Sequence, residues 1–165
     1  MKVFGITGWK NSGKTTLVEK VVAEIAARGF SVSTVKHAHH GFDVDQPGRD
    51  SYRHREAGAR QVLVASSNRW ALMTELRDAA EPGLDDLLAQ LQPVDIVIVE
   101  GYKTWPHDKI EARRAETAQA PIAPSDPAIR AIASDGPLPD PGVPVLDLND
   151  VSGITDFILA HVGLQ

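Results

Sequence analysis

Residues Gly8, Trp9, Lys10, Asn11, Ser12, Gly13, Lys14 and Thr15 place two glycines, a lysine and a hydroxyl at the fixed positions of a Gly-x4-Gly-Lys-Ser/Thr phosphate-binding loop. The chemistry needs each of them. Glycines let the main chain curl until successive N–H groups converge on phosphate oxygens, and the start of the following helix adds a partial positive charge there. In such a loop the lysine, here Lys14, reaches the β- and γ-phosphates, and the hydroxyl, here Thr15, coordinates Mg²⁺. Gly8, Asn11, Ser12, Gly13, Lys14, Thr15 and Thr16 are the expected phosphate-binding set for a purine nucleotide. At average residue frequencies the pattern arises by chance in roughly one chain of this length in two hundred. The competing reading, a helix start behind a chance glycine turn, must also explain why an apolar run precedes the loop and an amphipathic one follows it.

A metal ion held on one side by Thr15 needs a carboxylate from a neighbouring buried strand. The most apolar run of the chain is residues 94–99; Asp95 begins that strand and Glu100 ends it, just before Gly101. Ligands of open α/β sheets bind beyond the carboxyl ends of the strands, so Glu100 is the expected metal-side and catalytic carboxylate. Asp95 reads as a strand-start carboxylate bonded to nearby backbone. Asp43 and Asp45, just past the second expected strand on the same edge, are further metal candidates, with Asp43 also a candidate for catalysis; a solvated acidic loop is the open alternative.

Four of the six histidines fall in residues 36–60, among arginines and acids. His37, His39, His40, Arg49, Ser51, Arg53 and His54 suit binding of an anion or of a partner that carries one. A histidine and carboxylate metal site and a merely solvated polar loop are the other readings of the same residues.

These side chains must be positioned by something, and the periodicity says what. Residues 3–6 read as a strand. Residues 16–28 repeat Leu17, Val18, Val21, Val22 and Ile25 at three- and four-residue spacing, a helix with one buried face that stops at Gly29. Residues 32–35 read as a second strand, 50–59 as a short helix, and 61–65 with 70–74 as a hairpin around Ser66, Ser67 and Asn68. An amphipathic helix over 84–91 precedes the 94–99 strand, whose lack of alternation suits a central strand covered on both faces. Seven of the eleven prolines lie in residues 121–144, mostly irregular chain with one strand at 129–133. A strand at 145–148 and a helix at 151–162 close the pattern. The expected fold is α/β: a single P-loop NTPase-like domain over residues 1–165, with a mostly parallel central sheet, helices on both faces and a β-hairpin extension. The apolar hairpin around Trp70 is expected to bury in a subunit contact.

Composition bounds the rest. At 165 residues, 42% apolar and 24% charged, the chain is long enough for a core of its own. A net charge of −5 argues against a general nucleic-acid binder. Zero cysteines exclude disulfides, cysteine nucleophiles and thiolate metal sites. With no apolar run near the length of a membrane helix, and Met1-Lys2 leading straight into a strand, the expected location is cytoplasmic, away from membranes.

Taken together, the P-loop through Thr16, the block His39-His40 with Phe42-Asp43-Val44-Asp45, Pro47 to Ser51 and Arg53-His54, and Val99-Glu100-Gly101-Tyr102-Lys103 resemble the MobB family of molybdopterin-guanine dinucleotide biosynthesis adapter proteins. The likeness runs to Arg113, through Lys109-Ile110-Glu111, and loosens from Ala115 onward. The resemblance implies a homodimer that binds GTP and Mg²⁺, hydrolyses GTP slowly at most, and assists the molybdenum cofactor guanylyltransferase that attaches GMP to molybdopterin. It also implies that the histidine and arginine segment faces that partner, the pterin phosphate or the γ-phosphate. No Asn-Lys-x-Asp guanine-reading motif is present; Asp135 is the candidate base reader, with a turn residue in Ser134-Asp135-Gly136-Pro137 as the alternative. A small-molecule kinase or ligase, with Arg113, Arg114 and the arginines of residues 49–60 around an acceptor, and a metal-delivery GTPase are the rival activities. Slow turnover without an acceptor would set the adapter apart from a kinase.

Overall fold

Short runs rich in Val and Ile make strands here, and their order decides which loops meet. The structure is a computed structural model that describes residues 1–38, 41–117 and 119–164. In chain order the elements are β1 (Lys2–Thr7), α1 (Lys14–Ala27), β2 (Val32–Lys36), α2 (Asp50–Glu56), β3 (Gln61–Ala65), β4 (Trp70–Thr74), α3 (Leu84–Leu88), β5 (Ile96–Glu100), β6 (Lys109–Arg113), β7 (Ile129–Ser134), β8 (Val145–Asp147) and α4 (Val151–Val162). They fall into two compact units, Met1–His37 with Leu84–Gln165, and Ala38–Gly83.

The first unit is built on a six-stranded sheet ordered β2-β5-β1-β6-β7-β8, in which every neighbouring pair is parallel. Parallel strands need cover on both faces. On one face Phe4, Ile6, Ile96, Ile98 and Ile110 pack with Leu17, Val21 and Ile25 of α1 and Ile154 and Ile158 of α4. On the other, Val97 and Val99 pack with Leu84 and Leu88 of α3, and with Val35, Tyr102 and Trp105. β5 is buried at all five residues, as its unbroken apolar run requires. α4 starts where the Asp150 carboxylate accepts from the Gly153 N–H at 2.9 Å. Arg28 at the end of α1 pairs with Glu24 and reaches the Asp156 carboxylate and the Ser152 hydroxyl of α4.

The largest departure from the sequence pattern is β6. Lys109, Ile110, Glu111, Ala112 and Arg113 alternate charge with apolar residues as a half-solvated strand would, yet Lys109 and Glu111 are both 0% exposed. Each charge is buried because it is fully used. The Lys109 ammonium donates to the carbonyls of Lys103 (3.0 Å) and Trp105 (2.6 Å) and to Asp126 Oδ2 (3.1 Å). The Glu111 carboxylate accepts from the N–H groups of Ile122 (2.8 Å) and Ala123 (2.9 Å).

Element ends also shift from the expected bounds. α1 begins at Lys14, because the last residues of the P-loop are already helical. The 50–59 helix stops at Glu56, ahead of Gly58 at φ +111°, and the 84–91 helix stops at Leu88, its last turn tightening into Gln90→Leu87 and Leu91→Leu88 bonds. The central strand ends at Glu100 as expected but begins at Ile96. Asp95 leaves the ladder to Ser31, accepting from its N–H at 2.7 Å and its hydroxyl at 2.6 Å. That is the backbone-tied role expected of Asp95.

The second unit holds α2 and the antiparallel hairpin β3–β4, registered from Gln61 opposite Thr74 to Ala65 opposite Trp70. Arg55 is its electrostatic centre, within 2.9 Å of both Asp43 oxygens, 2.8 Å of Glu75 and 3.7 Å of Asp45. One hairpin face buries Val62; the other presents Leu63 (61% exposed), Trp70 (63%) and Leu72 (45%). Among the described residues no helix is long and apolar enough to cross a membrane.

Candidate functional site

β1 sits between β5 and β6, so the loop that leaves its carboxyl end emerges between the ends of those two strands. That loop is the Gly8 to Thr15 motif. Gly8 lies at φ +145°, and a Cβ there would stand 2.4 Å from the Ala112 carbonyl oxygen of β6 and 2.6 Å from Ser12 Oγ. Only glycine permits this approach. Gly13, at φ +85°, is the N-cap of α1. The helix has no side-chain cap and no acid in its first turn, leaving its leading N–H groups to an anion.

The charged side chains converge on the same place. Lys14 Nζ donates across the loop to the Trp9 carbonyl at 2.5 Å. The Thr15 hydroxyl donates to Glu100 Oε1 at 3.0 Å, and Lys36 Nζ stands 3.3 Å from that same oxygen. The Lys14 ammonium is held below the usual lysine range, chiefly by burial and then by repulsion from Lys103 and Lys36, with Glu100 acting the other way. Trp9 pins the loop's flank: its indole N–H donates to the Ala120 carbonyl at 2.8 Å, and the Lys103 ammonium lies 4.1 Å from its ring centroid. Lys10 is exposed, as a solvated loop lysine should be.

The oxygen donors of this arrangement fit Mg²⁺. A hydroxyl and a carboxylate are hard ligands, placed 3.0 Å apart at the end of a positively charged loop. Ser12 Oγ is a further buried oxygen in the loop with no hydrogen-bond partner. Among the described residues no group of three or more His, Cys, Asp or Glu side chains is gathered in a way that would hold a metal by itself, so bound phosphate and water would have to supply the remaining ligands.

The first unit thus brings together Gly8, Asn11, Ser12, Gly13, Lys14, Thr15, Thr16 and Glu100 along one edge. His37 joins that edge: its N–H donates to the Glu100 carbonyl at 3.0 Å and its ring lies 4.9 Å from that of Tyr102. Asp135 follows β7, with Oδ1 accepting from the Ala115 N–H at 2.6 Å and Oδ2 3.5 Å from Arg114 Nη1. Asp43, Asp45, Arg49, Ser51, Arg53 and His54 belong to the second unit. There Asp45 Oδ1 accepts from the Ser51 hydroxyl at 3.0 Å, Arg53 lies 3.9 Å from Asp50, and Arg49 is the N-cap residue of α2, with no side-chain bond to the helix. The hydrogen bond from the Asp45 N–H, and then Arg55, hold the Asp43 carboxylate below its ordinary pKa. His39 and His40 lie outside the described residues.

Three cations stand at the loop beyond the P-loop motif: Lys36 on Glu100; Lys103 on Trp9, which the sequence places only in the strand-end block of the family resemblance; and Arg114 against Gly13, which the sequence offers only as an acceptor-side arginine. Lys36 and Lys103 could be found from position alone, one at the end of a strand and the other three residues past Glu100. Arg114 could not, because β6 itself is hidden in the sequence.

The family model described as MobB, molybdopterin guanine dinucleotide synthesis protein B, matches residues 3–135. The molybdopterin-guanine dinucleotide biosynthesis adapter protein of Escherichia coli (strain K12) is 41% identical over 166 residues, covering 99% of this chain and 94% of the relative. Its counterpart in Haemophilus influenzae is 43% identical over 159 residues, covering 94% and 86%. A crystal structure of a MobB homologue from Bacillus stearothermophilus superposes with a TM-score of 0.72 at 32% identity, covering 99% of both chains. Bacillus subtilis MobB, 22% identical, matches the fold with a TM-score of 0.77 over 98% of each chain.

Proposed function

This chain belongs to the MobB family, and we propose that it serves molybdopterin-guanine dinucleotide biosynthesis as an adapter that holds GTP and Mg²⁺ in the Gly8 to Thr15 loop. The observation that carries the reading is the meeting of Lys14, Thr15 and Glu100 at an uncapped helix start: backbone N–H groups for the β-phosphate, an ammonium for the terminal phosphates, and a hydroxyl and carboxylate for the metal. Mg²⁺ would neutralise the phosphate charge, while Thr15 and Glu100 orient it. The preference for guanine follows from the guanine dinucleotide in the relatives' names.

The adapter assists the guanylyltransferase that joins GMP to molybdopterin and hydrolyses its own GTP slowly at most. The histidines and arginines of residues 37–54 would meet that partner or the pterin phosphate. A second copy would pack on the apolar hairpin face of Leu63, Trp70 and Leu72, and the dimer would work in the cytoplasm. Calorimetric titration with GTP or ATP in Mg²⁺ tests the core of this reading. Wild type should bind GTP more tightly than ATP, and Lys14→Ala should lose measurable binding. Unchanged affinity in that variant would remove the P-loop role.

A further inference from the structure

Around the start of α1 stands one cation that the Lys14, Thr15 and Glu100 arrangement does not use. Arg114, the first residue beyond β6, lays its guanidinium against the P-loop: a Cβ built on Gly13 would be 3.1 Å from its Nε and 3.6 Å from its Nη2. Gly13 is the N-cap of a 14-residue helix with no acid in its first turn. A cation against the positive end of a helix is unfavourable, and here Lys14, Lys36 and Lys103 already crowd the same edge. The carboxylates at this edge do not balance it. Glu100 is engaged by Thr15 and Lys36, and Asp135 touches Arg114 only at 3.5 Å while giving its other oxygen to the Ala115 N–H at 2.6 Å. Four basic side chains around one uncapped helix end are electrostatically sensible only where a polyanion completes them.

We propose that Arg114 is a second cationic ligand of the nucleotide phosphates, and that Asp135 is the positioning residue which holds its guanidinium over Gly13. The fork of five donors lets Arg114 span two phosphate oxygens, which Lys14, a point charge, cannot do. The Ala115 N–H fixes the Asp135 carboxylate, and the carboxylate in turn limits where Arg114 can swing. The side chain remains 38% exposed, so it can turn toward a phosphate without unpacking the core.

This inference rests on the P-loop holding a nucleotide, and the experiment separates the two. GTP, GDP and ATP are titrated with Mg²⁺ by calorimetry into wild type, Lys14→Ala, Arg114→Gln, Arg114→Lys and Asp135→Asn, with melting curves recorded for each. Arg114→Gln should weaken GTP and GDP by about tenfold, the value of one charge-assisted hydrogen bond, with the melting temperature unchanged. Arg114→Lys should fall between, because it keeps the charge and loses the fork. Asp135→Asn should weaken GTP and ATP by the same smaller factor, since it acts through Arg114.

Wild-type affinity in Arg114→Gln, while Lys14→Ala loses binding, overturns the role of Arg114 and leaves the P-loop reading intact. Should the Gln variant not fold, wild-type affinity in Arg114→Lys overturns it instead. A loss of GTP but not ATP in Asp135→Asn makes that residue a base reader and overturns its positioning role. Failure of wild type to bind any nucleotide removes both readings.

Discussion

Replacing Gly8 by alanine tests the loop where its geometry is tightest. The new methyl would start 2.4 Å from the Ala112 carbonyl oxygen, which lies in the β6 backbone, and 2.6 Å from Ser12 Oγ. Ordinary contact needs about 1 Å more, so either the loop lifts from β6 or the strand end bends. The φ of +145° adds strain of about 1–3 kcal/mol for any L side chain. Together these should destabilise the fold by about 2–4 kcal/mol, several degrees in melting temperature for a chain of this size. Binding should suffer more. A shift of about 1 Å takes several loop amides out of hydrogen-bond range of the phosphate, and with charged acceptors worth about 1.5–3 kcal/mol each, GTP affinity should fall at least about a hundredfold.

Gly13→Ala is the internal comparison. Its methyl meets only the end of the Arg114 side chain, at 3.1 Å, with φ at +85°, so about 1–2 kcal/mol and a smaller loss of affinity are expected. Differential scanning calorimetry and GTP titration on the two variants give the ordering. GTP binding by Gly8→Ala within twofold of wild type, or a larger effect at Gly13, would refute the packing argument.

Glu100→Gln should keep GTP while requiring at least about tenfold more Mg²⁺, because it removes the carboxylate 3.0 Å from Thr15; an unchanged metal requirement in a magnesium titration would take Glu100 out of the site. His107 has both ring nitrogens buried without partners, and burial, helped by Lys109, lowers its pKa to about 4. The unfolded chain takes up that proton near pH 6.5 and the folded chain resists it, so stability should fall as pH drops from 6.5 toward 4, by about 1–2 kcal/mol after allowing for partial exposure. His107→Leu should flatten that part of the stability profile measured by thermal melts. Asp95 and Asp108, both held below the usual carboxylate range, lose their contribution only at more acid pH. Trp70→Glu should shift the chain to monomer in sedimentation at micromolar concentration, and a wild type already monomeric there would remove the hairpin contact.

The P-loop, the helix that follows it and the central strand ending at Glu100 were legible in the sequence because each is a local pattern. A motif with fixed glycines, a 3.6-residue repeat and a run with no polar alternation all report on neighbours in the chain. That Asp95 stands at the start of the strand was legible in the same way, but its partner Ser31, far away in the chain, was not. What only the tertiary structure decided is the company those elements keep. β6 reads as polar because Lys109 and Glu111 are charged, and their burial makes sense only once Lys103, Trp105, Asp126, Ile122 and Ala123 are folded around them. With β6 hidden, nothing in the sequence could place Arg114 against Gly13 or the Ala112 carbonyl under Gly8. The division at Ala38 and Gly83, and the pairing of Asp43 with Arg55, likewise follow from contacts between residues far apart in sequence. Local periodicity reports which face a residue turns inward; which buried charge finds which partner is settled by the chain's return.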